Sequence, residues 1–449
     1  MTDLFLALGS NLGNRRDNLH RALTLLAERV GEVCECSDVE ETEPWGYHSE
    51  HTYLNAVAHL RTELGADAVL TAVQAIEREL GRTVKTGLDL AYSDRTLDID
   101  ILFHGRSVVY SPTLRIPHPR MWQRDFVMKP LRAIAHMPTV PFVATIGFFD
   151  GVHLGHRHLL AQLRDLADAS GQQPLAVTFD RHPASVVPGR KPTPVLSSRN
   201  VCINRLLGSG LEVAELQFDT VMAQLSARNF MRSVLREQLN VDTLLVGYDH
   251  HFGQPIPQRP ESIADYKAYG HECGIDVVVA TELPSGQHVS SSAIRRSLLD
   301  GNVTEAAAML GRAYEWTGRV VHGNAIGRQI GFPTANLEAV VPEQLLPARG
   351  VYAVKVMIGD EAYPAMMNIG TRPTIDPSED TPTVEVHVFS YSGDLYGSIL
   401  TVSFIHRLRR EQRFGSEDEL KAQLEVDRDE ALRAVEEYGA AETNSIHRL

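Results

Sequence analysis

The sequence predicts a multidomain chain in three successive parts: an α+β sandwich, a doubly wound α/β domain with a parallel sheet, and an antiparallel β-barrel with a C-terminal helix. Three observations predict it. The 449 residues correspond to three domains at about 150 residues each. The hydrophobic periodicity changes character twice, near 138–142 and again near 300–310. With 43% apolar and 22% charged residues, the composition is that of a globular chain and not of a disordered one.

Residues 1–138 alternate strands and amphipathic helices. LFLAL is a strand, 14–29 has helical apolar spacing, and YLNAVAHL is a strand; then come a helix over 67–80, the strand LDIDILF and a short helix over 126–134. This order suits an open α+β sandwich. The prolines of MPTVP stop the last helix, and no flexible linker follows, so the first two domains are expected to be closely apposed. Residues 142–300 restart the pattern. FVATIGFFDG leads into the helix HLGHRHLLAQLRDLADA, then PLAVTF, a helix over 227–238, TLLVGY, a helix over 262–269 and IDVVVA. Strands alternating with helices indicate a parallel sheet. Two helical stretches over 290–310, parted by Asp300 and Gly301, introduce residues 310–449. There WTGRVVHG, GVYAVKVMI, AYPAMMNIG, TVEVHVFS and LTVSFIHRL are short strands bounded by Gly, Pro and Asp, as in a closed barrel. A polar helix over 416–438 ends the chain.

Charge and cysteine usage exclude several classes of function. With 43 basic against 57 acidic residues the net charge is −14, which opposes a nucleic-acid or anionic-membrane partner. Cys34, Cys36, Cys202 and Cys273 form no CxxC pair and are too few for a disulfide framework. No basic leader and no apolar run of about 20 residues is evident, so the chain reads as soluble and cytoplasmic. Small molecules are the expected partners, and protein partners are left open.

Three constellations carry chemistry. In DRTLDIDILF, Asp98 and Asp100 are two apart on a strand, so they share a face with Cα atoms roughly 6.6 Å apart, while Ile99 and Ile101 face the core. Alone, such a pair is an ordinary solvated strand face. Mg²⁺ on a polyphosphate would relieve its repulsion, with Arg82, Lys85 and Arg95 near enough to hold phosphates. Its surroundings, ALGSNLG, TEPWG, YLNAV, QAIERELGR and IPHPRMWQRDFVMKPL, resemble 6-hydroxymethyl-7,8-dihydropterin pyrophosphokinase over about 135 residues. The resemblance implies a ferredoxin-like fold and transfer of the β,γ-diphosphate of ATP to a pterin hydroxymethyl group, in folate synthesis. By it, Asp98 and Asp100 bind two Mg²⁺, Gln74, Glu77, Arg82, Arg95 and His118 serve ATP, and Thr42, Tyr53, Asn55 and Phe126 form the pterin pocket. Asn55 suits the pterin amide edge, and Phe126 with Trp45 suits its ring. The loop over 81–94 departs from the family, with Val84 where an arginine is common and Lys85 and Tyr92 as substitutes.

The second is TIGFFDGVHLGHRHLL, where His153 and His156 flank Gly155 at a helix start that favours anions. In VSSSAIRRSL, Ser290, Ser291 and Ser292 precede a helix bearing Arg295; serines there are ordinarily caps. With TFDRHP (Phe179, His182) and LLVGYDHHFG (Gly247, Asp249), these segments resemble the Rossmann-like nucleotidyltransferase module of bacterial FAD synthetase, over about 142–298. The resemblance implies that His153, His156, the serines and Arg295 hold ATP while an FMN phosphate attacks its α-phosphorus. His250 and His251 read as a metal pair or as loop packing.

The third is HGNAIGRQIGFPTANL. Gly323, Gly327 and Gly331 recur every four residues, which suits a phosphate-wrapping loop, and Thr334 with Asn336 forms an i,i+2 pair of oxygen ligands. In VEVHVF, Glu385 alternates with valines and is expected, with His387, inside the barrel or at its rim. With MNIGTRPTI, DLYG and FIHRLRREQRFGSEDELKAQLEVD these residues resemble riboflavin kinase over about 312–438. By that resemblance Thr334 and Asn336 bind Mg·ATP, Glu385 is the general base toward the ribityl hydroxyl, and Asn368 borders the flavin.

The expectation is a trifunctional Mg·ATP-dependent transferase: a pterin pyrophosphokinase fused to riboflavin kinase and FMN adenylyltransferase, with FMN and FAD as products. Its alternatives are a pterin module that binds without turnover, and a nucleotide- or flavin-sensing regulator. Retention of Asp98, Asp100, His153, His156, Thr334, Asn336 and Glu385 together favours the enzyme.

Overall fold

The computed structural model describes residues 1–45, 49–82, 94–105, 109–110, 113–116, 118, 121, 124–134, 141–186, 193–247, 250–254, 261–284, 289–322, 331–371 and 382–446. By compactness the chain forms two units. One comprises 1–148, 160–189 and 206–281; the other comprises 149–159, 190–205 and 282–449.

In the first unit, β1 (Thr2–Ser10), α1 (Arg15–Arg29), β2 (Glu32–Cys36), β3 (Glu40–Thr42), β4 (Tyr53–Thr62), α2 (Ala66–Glu79) and β5 (Asp98–His104) build one sheet with two helices. The strand order is β2-β4-β1-β5, with β3 on β4, and every pairing is antiparallel. The centre of β1 is apolar on both faces because both are covered. Leu4, Leu6 and Leu8 pack with Leu19 and Leu26 of α1 and with Val73 and Ile76 of α2. Phe5 and Ala7 point the other way, into the cluster that holds Val127, Met128 and Leu131 of α3 (Asp125–Ile134). A small ribbon, β6 (Val109–Tyr110) on β7 (Arg115–Ile116), completes this part.

The same unit holds the parallel sheet: β8 (Phe142–Ile146), β9 (Gln173–Phe179), β10 (Glu212–Leu216), β11 (Val241–Val246) and β12 (Asp276–Val279), in the order β10-β9-β8-β11-β12. The chain runs outward from β8 in both directions, so the strand order switches beside it. The intervening helices are α4 (Leu154–Ser170), α5 (Arg199–Gly208), α6 (Thr220–Ala223), α7 (Ala227–Asn229, continued by a wider-wound turn over Phe230–Gln238) and α8 (Ile263–Cys273). Ser262 and Asp265 form a capping box at the start of α8, and Gly274 ends it at φ 72°. Close apposition of the first two parts is observed. Phe5, Val57, Leu131 and Ile134 share one apolar cluster with Ala144, Ile146 and Leu175, and Arg115 pairs with Glu215 at 3.5 Å.

In the second unit, α9 (Ser291–Leu299) and α10 (Val303–Leu310) precede a closed barrel of β13 (Tyr314–Val321), β14 (Ala335–Ala339), β15 (Gly350–Ile358), β16 (Glu361–Thr371), β17 (Pro382–Val388) and β18 (Ile399–Arg409). Its order is β13-β14-β17-β16-β15-β18, antiparallel throughout. Trp316, Tyr352, Val354, Val386 and Phe404 fill it. The C-terminal helix α11 (Glu417–Ile446) lies on the outside, where Ala431 packs with Phe332, Ala353, Met366 and Phe389. The placement expected for Glu385 is corrected here. Val384, Val386 and Val388 occupy the interior, so Glu385 and His387 stand on the outer face. A six-stranded barrel filled by branched and aromatic side chains leaves no solvated space for a carboxylate. Among the described residues, no helix is long and apolar enough to cross a membrane.

Candidate functional sites

On β5 the aspartates alternate with core residues as expected: Asp98 and Asp100 are partly exposed, and Ile99 and Ile101 are buried. Arg82 donates to Glu77 and, at 2.5 Å, to Asp98 Oδ1; Arg95 Nη1 reaches Asp98 Oδ2 at 2.9 Å. Arg124 Nη1 meets Asp100 Oδ2 at 2.9 Å, with His118 Nε2 at 3.6 Å from the same oxygen. Burial opposes the charge on Arg95, yet Asp98, Tyr53 and Asp100 outweigh it and raise its pKa. Glu77, on α2, is 1% exposed, and its Oε1 also accepts the Ile99 N–H at 3.0 Å. Its carboxylate therefore fixes Arg82 against β5. Gln74 lies one turn earlier on the same helix and is partly exposed.

Beside these carboxylates opens a pocket lined by Gly9, Thr42, Trp45, Tyr53, Asn55, Arg95, Asp98, Asp100, Arg124 and Phe126. It brings together four residues expected for the pterin and three expected for ATP and metal. Asn55 Nδ2 donates to Thr42 Oγ1 at 2.8 Å, while a Cβ on Gly9 would stand 3.0 Å from Asn55 Oδ1. Glycine there leaves the amide its place. The Arg124 guanidinium lies 5.1 Å from the Trp45 ring and 5.9 Å from that of Phe126. Sequence reasoning did not single out Arg124, although it stands two residues before Phe126.

The residues expected for adenylyl transfer fall in both units. In the second unit, His153 and His156 flank the start of α4 with rings stacked at 3.7 Å and 17°. The His156 N–H donates to His153 Nδ1 at 3.3 Å. A Cβ on Gly155 would lie 3.2 Å from the His153 ring and 3.3 Å from the Val289 carbonyl, tighter than most side-chain contacts, so the approach there is close. Burial, then Arg312 and Arg295, lowers the His153 pKa to about 4, and its imidazole is neutral at pH 7. Asp150, 3% exposed, accepts the Leu196 N–H at 2.8 Å and Arg295 Nη2 at 2.5 Å. Burial raises its pKa against the pull of Arg295. Ser290 caps α9 by accepting the Ala293 N–H at 3.2 Å, Ser291 Oγ donates to the Asp150 carbonyl at 2.9 Å, and Ser292 is exposed. Asp150 was visible in the FFDGVH run but was not assigned a role.

In the first unit, Phe179 ends β9 and packs edge-on to Phe218 at 5.1 Å; His182 stands edge-on to Phe148 at 4.9 Å. Gly247 follows β11 and accepts the His250 N–H at 3.1 Å. Among the described residues no group of three or more His, Cys, Asp or Glu is placed to hold a metal. Lys85, Tyr92, Asp249, Gly323 and Gly327 lie outside the described residues.

On the barrel, Asn336, Glu385 and Asn368 stand side by side in register across β14, β17 and β16, and all three are partly exposed. Thr334 precedes β14 directly. His387 Nδ1 lies 2.6 Å from the Pro333 carbonyl and tethers the approach to Thr334. Burial lowers the pKa of that histidine. Gly331 adopts φ 88°, which glycine tolerates without strain.

Residues 5–136 match the family model of 7,8-dihydro-6-hydroxymethylpterin-pyrophosphokinase, 137–293 that of FAD synthetase and 310–435 that of riboflavin kinase. The bifunctional riboflavin kinase/FMN adenylyltransferase of Escherichia coli is 37% identical over 306 residues, covering 67% of this chain and 96% of that protein. Its Bacillus subtilis counterpart is 33% identical over 295 residues, covering 65% and 92%. A crystal structure described as a macrolide-efflux protein from Streptococcus pneumoniae superposes with a TM-score of 0.57 at 31% identity, over 64% of this chain and 93% of that one. The chain belongs to the bifunctional riboflavin kinase/FMN adenylyltransferase family, with a pterin pyrophosphokinase module ahead of it.

Proposed function

We propose that the chain is a trifunctional transferase with three separate ATP sites. It transfers diphosphate to 6-hydroxymethyl-7,8-dihydropterin, phosphorylates riboflavin to FMN and adenylylates FMN to FAD. The modules are a ferredoxin-like domain over 1–138, a Rossmann-like domain over 142–300 and the kinase barrel over 310–449. The observation that carries the reading is the cavity in which Asn55, Trp45 and Phe126 stand beside Asp98 and Asp100. It sets a flat, amide-edged acceptor against a pair of carboxylates.

Asp98 and Asp100, and separately Thr334 and Asn336, supply the oxygen ligands that Mg²⁺ prefers, and the ion when bound offsets charge on the transferring phosphates. Arg82 and Arg95, which pair with Asp98, would hold the triphosphate with His118 and Gln74, while Glu77 acts through Arg82. Thr42, Tyr53, Asn55 and Phe126 orient the pterin hydroxyl. In the adenylyltransferase, neutral His153 and His156 with Arg295 and the α9 N-terminus receive phosphate oxygens, and Phe179, His182, Gly247 and Asp249 serve FMN. In the kinase, Glu385 takes the proton from the ribityl hydroxyl, with Asn368 beside it and Gly327 and Gly331 along the phosphates.

Supplying purified chain with Mg·ATP and one acceptor at a time tests the reading. AMP with the pterin, ADP with riboflavin and pyrophosphate with FMN are expected. A chain that releases none of the three above background is a sensor rather than an enzyme.

A further inference from the structure

We propose that Arg312, in the segment that opens the kinase barrel, is a positioning residue for adenylyl transfer: its guanidinium holds the turn that delivers His153 and His156. This rests on the reading of those histidines as adenylyl-site residues. Arg312 lies between α10 and β13, inside the riboflavin kinase match, whereas the turn lies inside the FAD synthetase match. Arg312 Nη2 donates to the Gly151 carbonyl, and Nη1 to those of Val152 at 3.3 Å and Leu310 at 3.1 Å.

The turn needs such a hold. Phe149, Gly151 and Val152 have φ of 53°, 78° and 41°, and two of these residues are not glycine, one being β-branched. Backbone of that kind persists only where its surroundings over-determine it. Asp150 is fixed from one side by Leu196, Ser197 and Arg295. The carbonyls of Gly151 and Val152 both accept from Arg312. The Val152 carbonyl belongs to the peptide plane that leads into His153, so fixing it fixes where that imidazole starts. A planar fork spans two successive carbonyls and a third from α10; an ammonium, as a point donor, does not.

The test uses the full chain carrying Arg312→Ala or Arg312→Lys, with FAD formation from supplied FMN and FMN formation from riboflavin measured side by side. In R312A, kcat/KM for FAD formation should fall about tenfold or more, as for a site misplaced by a fraction of an ångström. Riboflavin phosphorylation should stay within about twofold, and R312K should lie between. Amide exchange should quicken over 149–156 but not in β15 or β18. FAD formation within about twofold of the unsubstituted chain in R312A overturns the proposal. So does a parallel loss of both activities in both variants, which marks a general destabilisation; if R312A does not fold, R312K decides by the same ratio. His153→Asn separates the two layers. Lost FAD formation in H153N with normal R312A rejects this inference alone, and normal FAD formation in H153N rejects the site reading beneath it.

Discussion

Arg82 and Asp98 are joined at 2.5 Å, and the same guanidinium nitrogen meets buried Glu77, so one arginine ties α2 to the strand that carries both site aspartates. Asp98→Asn removes the charge from the carboxylate proposed to hold metal and weakens that tie. AMP release with the pterin should fall by at least about a hundredfold, while FAD formation from FMN stays intact. Glu77→Gln keeps an acceptor for the Ile99 N–H but loses the charge that holds Arg82, and its loss should be smaller, about tenfold. Equal loss of pterin and flavin activities in D98N would show that the sites are not independent.

Glu385 stands between Asn336 and Asn368 in the strand register, on the outer face of the barrel. A general base contributes about 10²–10⁴ in rate. Glu385→Gln should therefore reduce FMN formation from riboflavin within that range yet leave conversion of supplied FMN to FAD unchanged. Normal FMN formation in the variant removes Glu385 from that role.

Much of this was legible where apolar residues alternate strongly. LFLAL, LDIDILF and TVEVHVFS show their strands because each has a side to bury. The strands EVCEC and EET are polar, and β14 begins in PTAN; they exist because β4, β13 and β17 offer hydrogen-bonding edges, which local sequence does not display. The site divides in the same way. Asp98, His153 and Glu385 stand in motifs with a local pattern. Asp100 pairs with Arg124, and Asp150 with Arg295, 145 positions away. Such pairings come from the fold alone, as does the outward face of Glu385, which alternation leaves undecided between the two sides of a strand.

Asp427 of α11 is fully buried and accepts from Arg409 of β18 at 2.8–3.0 Å through both oxygens, with Gln423 Nε2 at 3.0 Å. Removing one partner of a buried ion pair leaves the other uncompensated and costs about 3–5 kcal/mol. Arg409 keeps some solvent access, at 17% of its side chain, which places Asp427→Ala near the lower end, about 3 kcal/mol. Denaturant unfolding should show a lowered midpoint for the barrel. An unchanged midpoint would mean that the packing around Ala431 suffices to hold the helix.

His153 stays neutral in the folded chain down to about pH 4, because burial first, and then Arg312 and Arg295, disfavours its charge relative to the ordinary value of 6.5. The unfolded chain takes up this proton below pH 6.5 while the folded one does not. Stability from this group is therefore complete above pH 6.5 and lost as the pH falls toward 4, by about 3 kcal/mol in all. His153→Gln, which cannot titrate, should flatten the stability profile in that window while leaving it unchanged above pH 7. For the reaction, a neutral imidazole acts as hydrogen-bonding group rather than as cation, so FAD formation should show no inflection from His153 between pH 6 and 8. A wild-type profile that runs parallel to the H153Q profile from pH 7 to pH 4 would show that the imidazole is charged in the folded state.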